Sequence, residues 1–122
     1  MSDQTPLRIL VVEDSAVIRG DICQILKRMS CEVAAAENGR TAWVILQSLK
    51  NDPVKLPDLV LSDVNMPEMD GIQLLEKIRA DKQFTKLPVI ILTANKEELL
   101  RMTALCLDVN GFFIKPADKA QL

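Results

Sequence analysis

A chain of 122 residues has the length of one ordinary domain and can bury a core without disulfides or metals to staple it. With 48% hydrophobic and 26% charged residues it falls outside the disordered and fibrous classes. A formal net charge of −2 and the lack of any Lys/Arg run leave no footprint for nucleic acid or an anionic membrane. The polar start Met1-Ser2-Asp3-Gln4 has no apolar signal region behind it, and every apolar run is too short to span a bilayer. A cytoplasmic protein is therefore expected.

Strand-like and helix-like patterns alternate along the chain. Residues 7–12 form a short β-branched-rich run that ends in acids. Over 15–29, Ile18, Ile22, Ile25, Leu26 and Met29 recur at helical spacing. A weaker strand covers 31–36, and Asn38-Gly39 reads as a turn. Residues 41–50 are expected to be helical, with Ala42, Ile45, Leu46 and Leu49 on one face. The connection 51–57 holds Pro53 and Pro57, which predict a stiff surface loop. Residues 58–62 form a third strand, 71–80 a helix with Ile72, Leu75 and Ile78 inward, and 89–92 a fourth strand. A further helix over 96–106 and a last strand over 111–114 complete the pattern.

Strands apolar throughout are buried on both faces, as parallel strands between helix layers are. Five of them joined by helices predict a doubly wound α/β sheet with right-handed crossovers. Such sheets bind ligands beyond the carboxyl ends of their strands. Those ends carry Glu13-Asp14, Asp63 with Asn65 behind it, Thr93-Ala94 and Lys115-Pro116. Taken singly, each has a plain explanation. The first pair and Thr93 suit helix caps, Asp63 suits a turn before Pro67, and Lys115 suits a solvated surface. Together they place three carboxylates, a hydroxyl and an ammonium on one rim. Carboxylates so grouped repel one another unless a cation joins them. Hard oxygen ligands without Cys or His suit Mg²⁺, and Thr93 and Lys115 then suit the oxygens of a phosphoryl group. Cys23, Cys31 and Cys106 form an odd set with no C-x-x-C spacing and read as ordinary buried thiols.

The segments Val11-Val12-Glu13-Asp14-Ser15, Leu61-Ser62-Asp63-Val64-Asn65-Met66-Pro67-Glu68-Met69-Asp70-Gly71, Ile91-Leu92-Thr93-Ala94 and Phe112-Phe113-Ile114-Lys115-Pro116 resemble a response-regulator receiver domain, in order and over nearly the whole chain. The resemblance implies a five-stranded sheet of flavodoxin-like order 2-1-3-4-5. It implies Asp63 as phosphoacceptor, Mg²⁺ held by Glu13, Asp14, Asp63 and the Asn65 backbone carbonyl, and Thr93, Ala94 and Lys115 against the phosphoryl group. Thr93 and Phe112 match the switch pair, and the surface that changes is the fourth-helix/fifth-strand face, 96–114. That face would control an output domain, a downstream effector or a homodimer.

The chain has no histidine, so the phosphoryl donor must be another molecule: a histidine kinase, a histidine phosphotransfer protein or a small acyl phosphate. At most the domain would catalyse its own phosphorylation and slow dephosphorylation. Two other readings stay open. A Mg²⁺-dependent aspartyl-phosphate phosphatase of the haloacid-dehalogenase type uses Asp-x-Asp, whereas Asp63-Val64-Asn65 ends in an amide that cannot transfer the proton. A phosphorylation-independent docking module usually lacks the acceptor, an acid or the lysine, and none is lost here. The chain ends at Leu122, where the family has a fifth helix of roughly three turns. Residues 1–122 are therefore expected to be a receiver domain with its fifth helix truncated or missing, cut as the N-terminal piece of a longer protein.

Overall fold

A computed structural model describes residues 6–93 and 111–114, the last five of these (93 and 111–114) through their backbone. The first strand, β1 (Arg8–Val12), is buried almost from end to end. Helix α1 (Ala16–Arg28) starts where the Ser15 hydroxyl accepts the Ile18 amide at 3.3 Å and ends on Lys27 and Arg28, cations that suit a helix C-terminus. Strand β2 (Glu32–Ala36) follows, then α2 (Gly39–Ser48), a 3-10 turn at Pro53–Lys55, and β3 (Leu59–Asp63). Helix α3 (Gly71–Ala80) opens on a full capping box. Asp70 Oδ1 accepts the Gln73 amide at 2.8 Å, and Gln73 Oε1 accepts the Asp70 amide at 3.0 Å. Strands β4 (Val89–Thr93) and β5 (Gly111–Ile114) close the described chain.

All strand pairs are parallel and the order is β2-β1-β3-β4-β5. From β1 the chain steps outward to β2, then crosses back past β1 to β3, so the direction of winding reverses between β1 and β3. Alternation along β1 divides its side chains between two layers. Leu10 and Val12 join one apolar cluster with Ala42 and Leu46 of α2 and Ile72, Leu75 and Ile78 of α3. Ile9 and Val11 are buried outside that cluster, and α1 packs on β1 and β2. Just beyond α3, Phe84 meets Trp43 of α2 edge-on with ring centroids 6.1 Å apart. There the Lys50 ammonium lies 2.6 Å from Asp81.

Three sequence expectations change. Asn38-Gly39 is the start of α2 rather than a free turn, because Asn38 Oδ1 accepts the Thr41 amide at 2.8 Å and nucleates the first turn. Cys23 and Cys31 are half-buried rather than core thiols, because they lie on and just after α1, a helix with no fully buried residue. The stiff connection after α2 winds into the 3-10 turn that Pro53 opens. The expected helix over 96–106, Cys106 and the fifth-helix region after Lys115 lie outside the described residues.

Candidate functional site

The register of β1 on β3 builds the site. Val12 pairs with Ser62, so the next residues, Glu13 just past β1 and Asp63 at the end of β3, stand side by side. One carboxylate oxygen from each of Glu13, Asp14 and Asp63 falls within a 4.8 Å group. Glu13 and Asp63 are buried, at 0% and 5% exposure, while Asp14 faces solvent. Two of three negative charges thus sit where water screens them poorly, and a cation is the natural third party.

Glu13 and Asp63 are each held by backbone amides. The Glu13 amide donates to the Ala36 carbonyl at 3.0 Å, which ties the end of β1 to the end of β2. The Ser15 amide donates to Glu13 Oε2 at 3.0 Å, turning that carboxylate back over the start of α1. The Val64 amide donates to Asp63 Oδ1 at 2.8 Å, and the Ser62 hydroxyl donates to the Asp63 carbonyl at 2.9 Å. Beyond Asp63 the loop closes tightly, with the Gly71 amide donating to the Val64 carbonyl at 2.8 Å. A Cβ on Gly71 would collide with the Asp63 carbonyl oxygen and lie 3.1 Å from the Val64 Cα. Only glycine lets α3 start this close to the acid. The same loop meets α2 where the Gly39 amide donates to the Met69 carbonyl at 2.9 Å.

Three carboxylates, with neither imidazole nor thiolate among them, match the hard-oxygen preference of Mg²⁺ and fit soft metals poorly. Asn65 lies in the loop two positions past Asp63. Thr93 ends β4 and pairs through its backbone with Ile114, and Phe112 pairs with Ile91. The end of β4 is thereby placed on the rim that carries Asp63, whose own register partner is Leu92. Ala94 and Lys115 lie outside the described residues.

Four contributors were given no site role by the sequence: Arg19, and Ser15, Ser62 and Gly71 within the quoted motifs. A glycine at a helix start carries a faint signal of close approach, whereas the others act through hydrogen bonds to the acids or their carbonyls, partners that residue spacing does not spell out. Arg19 Nη1 donates to the Glu13 carbonyl at 2.8 Å.

Comparison with known proteins agrees with this geometry. The family described as "Response regulator receiver domain" matches residues 9–122. A "Chemotaxis protein CheY homolog" of Campylobacter jejuni is 38% identical over 111 residues, covering 90% of this chain and 82% of the relative. Among solved structures, the phosphorylated cyanobacterial phytochrome response regulator RcpA superposes with a TM-score of 0.75 at 28% identity, over 97% of this chain and 86% of that one. The receiver domain of the sensor histidine kinase PA1611 from Pseudomonas aeruginosa, described with a magnesium ion coordinated in its active-site cleft, gives 0.76 at 28% identity, over 96% and 91% of the two chains. The chain belongs to the response regulator receiver domain family and is a CheY-like receiver of two-component signalling.

Proposed function

We propose that this domain is a phosphorylation switch in which Asp63 accepts a phosphoryl group with Mg²⁺ present. The observation that carries the reading is the convergence of Glu13, Asp14 and Asp63 from two neighbouring strand ends, with Asp63 held at the last position of β3. Glu13, Asp14, Asp63 and the Asn65 carbonyl would hold the ion, as the magnesium described for the Pseudomonas receiver supports. Bound there, Mg²⁺ would offset the repulsion between the attacking carboxylate and the incoming phosphate.

The chain's own groups supply the rest. Asp63 Oδ1 is fixed by the Val64 amide, which orients the carboxylate for in-line attack on phosphorus. A new O–P bond forms at Asp63 as the P–N bond of a phosphohistidine breaks, and the bonding pair leaves with the donor imidazole. With no histidine in the chain, that donor is a histidine kinase or histidine phosphotransfer protein, or an acyl phosphate in its place. Thr93, the Ala94 amide and Lys115 would contact the transferred oxygens. Thr93 and Phe112 would then shift, changing the face over 96–114 for an effector, an output domain or a second copy. A full switch needs roughly 5.5 kcal/mol of differential interaction, which several charge-assisted hydrogen bonds to a new dianion can largely supply. The compartment proposed is the cytoplasm, and no helix of the described residues is long and apolar enough to cross a membrane.

Intact-protein mass spectrometry after incubation with acetyl phosphate tests the reading. One added phosphoryl group is expected with MgCl₂, none with EDTA, and none in Asp63→Asn. Equal labelling of Asp63→Asn, or labelling that ignores EDTA, would overturn it.

A further inference from the structure

Arg19 lies on the second turn of α1, and its side chain runs back toward the helix N-terminus, as helical side chains do. There Nη1 meets the Glu13 carbonyl at 2.8 Å and reaches the Asp14 carbonyl at the outer limit of 3.5 Å. The Glu13 carbonyl belongs to the peptide plane that joins Glu13 to Asp14. That plane is rigid, so fixing its oxygen fixes the direction in which Asp14 leaves the strand. Glu13 is thereby held at three points: its amide by Ala36, its carbonyl by Arg19, and its carboxylate by the Ser15 amide.

We infer that Arg19 is a positioning residue for the acid pair, setting Mg²⁺ affinity through the Glu13–Asp14 peptide. The inference rests on the metal reading above. Geometry and charge make opposite demands here, and that gives the test its sign. A guanidinium on the backbone of Glu13 and Asp14 repels an incoming cation, so a purely electrostatic role means that removing it tightens Mg²⁺ binding. A clamp role means that removing it loosens binding, in the range of 10- to 100-fold known for groups that orient metal ligands.

Calorimetric titration of the purified chain with MgCl₂ alone decides between them. Arg19→Ala is expected to bind Mg²⁺ about tenfold more weakly. Arg19→Lys, which keeps charge and a donor but loses the planar fork, should fall in between. The control is Arg79→Ala. Arg79 also clamps backbone carbonyls, those of Leu87 at 2.7 Å and Thr85 at 3.2 Å, but away from the acids. Its loss should lower the melting temperature and leave Mg²⁺ affinity intact. If Arg19→Ala fails to fold, Arg19→Lys and Arg19→Gln carry the test: affinity ordered wild type, Lys, Gln supports the clamp. Unchanged or tighter binding in any folded Arg19 variant overturns the inference. Failure of the wild-type chain to bind Mg²⁺ overturns the metal reading instead.

Discussion

One substitution, glycine to alanine, is expected to act with opposite sign at two helical positions. Gly20 lies inside α1 with no atom within 4 Å of where a Cβ would stand. Alanine there loses less backbone entropy on folding and should stabilise by about 0.5–1 kcal/mol. Gly71 is the first residue of α3, where at most the same propensity gain applies. Its Cβ, however, would meet the Asp63 carbonyl oxygen and the Val64 Cα, which are backbone atoms that no rotamer change can move aside. Ordinary van der Waals contact begins at 3.4 Å, so α3 and the 63–64 peptide must separate by on the order of 1 Å. Overpacking of this kind costs about 1–3 kcal/mol, which outweighs the propensity gain. Separation would also stretch the 2.8 Å bond from the Gly71 amide to the Val64 carbonyl and displace the acceptor loop. Urea denaturation measures both signs, with Gly20→Ala raising the midpoint and Gly71→Ala lowering it. Acetyl phosphate labelling should slow in Gly71→Ala alone. A Gly71→Ala protein as stable as the wild type, labelled at the same rate, would refute the close-approach reasoning.

Three further outcomes are expected. Leu46→Ala removes a fully buried side chain from the cluster between α2 and the sheet, and should cost about 2–5 kcal/mol by chemical denaturation. Asp70→Ala takes away the capping box of α3 and should cost about 1 kcal/mol. Asp81 is held below its ordinary value near 3.8, first by its hydrogen bond from the Lys50 ammonium and next by the Gln83 amide. Since the folded value is the lower one, this contribution is complete above the unfolded pKa and fades as pH falls through the folded value. Asp81→Asn should therefore melt below wild type at neutral pH, with the gap closing below about pH 4.

Much of the architecture is legible in local pattern. The helix over Gly71–Ala80 and the strand over Gly111–Ile114 begin and end where periodicity and turn residues put them. Asn38 is harder to read, because an asparagine side chain that accepts an amide serves a turn and a helix N-cap alike. Strand β2 reads weakly since it is an edge strand, mostly exposed, and has no need of a continuous apolar run. The acids are legible as types at strand ends, but their inequality is not. Glu13 is buried and Asp14 exposed because Ala36, Arg19 and Ser15 hold the first residue past β1, and of those three only Ser15 stands beside the acids in a motif.

Hydrophobic periodicity, caps and turns are properties of neighbouring residues, so the sequence by itself determined the elements, their parallel arrangement and which residue types reach the rim. Distances between remote residues belong to strand register. Pairing Val12 with Ser62 rather than a neighbour brings Glu13 level with Asp63, and a slip of one residue would send every side chain to the other face. Packing then decided the remainder: an arginine one turn into α1 locks a peptide plane, and a glycine lets α3 press against the Asp63 carbonyl. Both effects depend on backbone oxygens, which every residue carries and no side-chain pattern reveals.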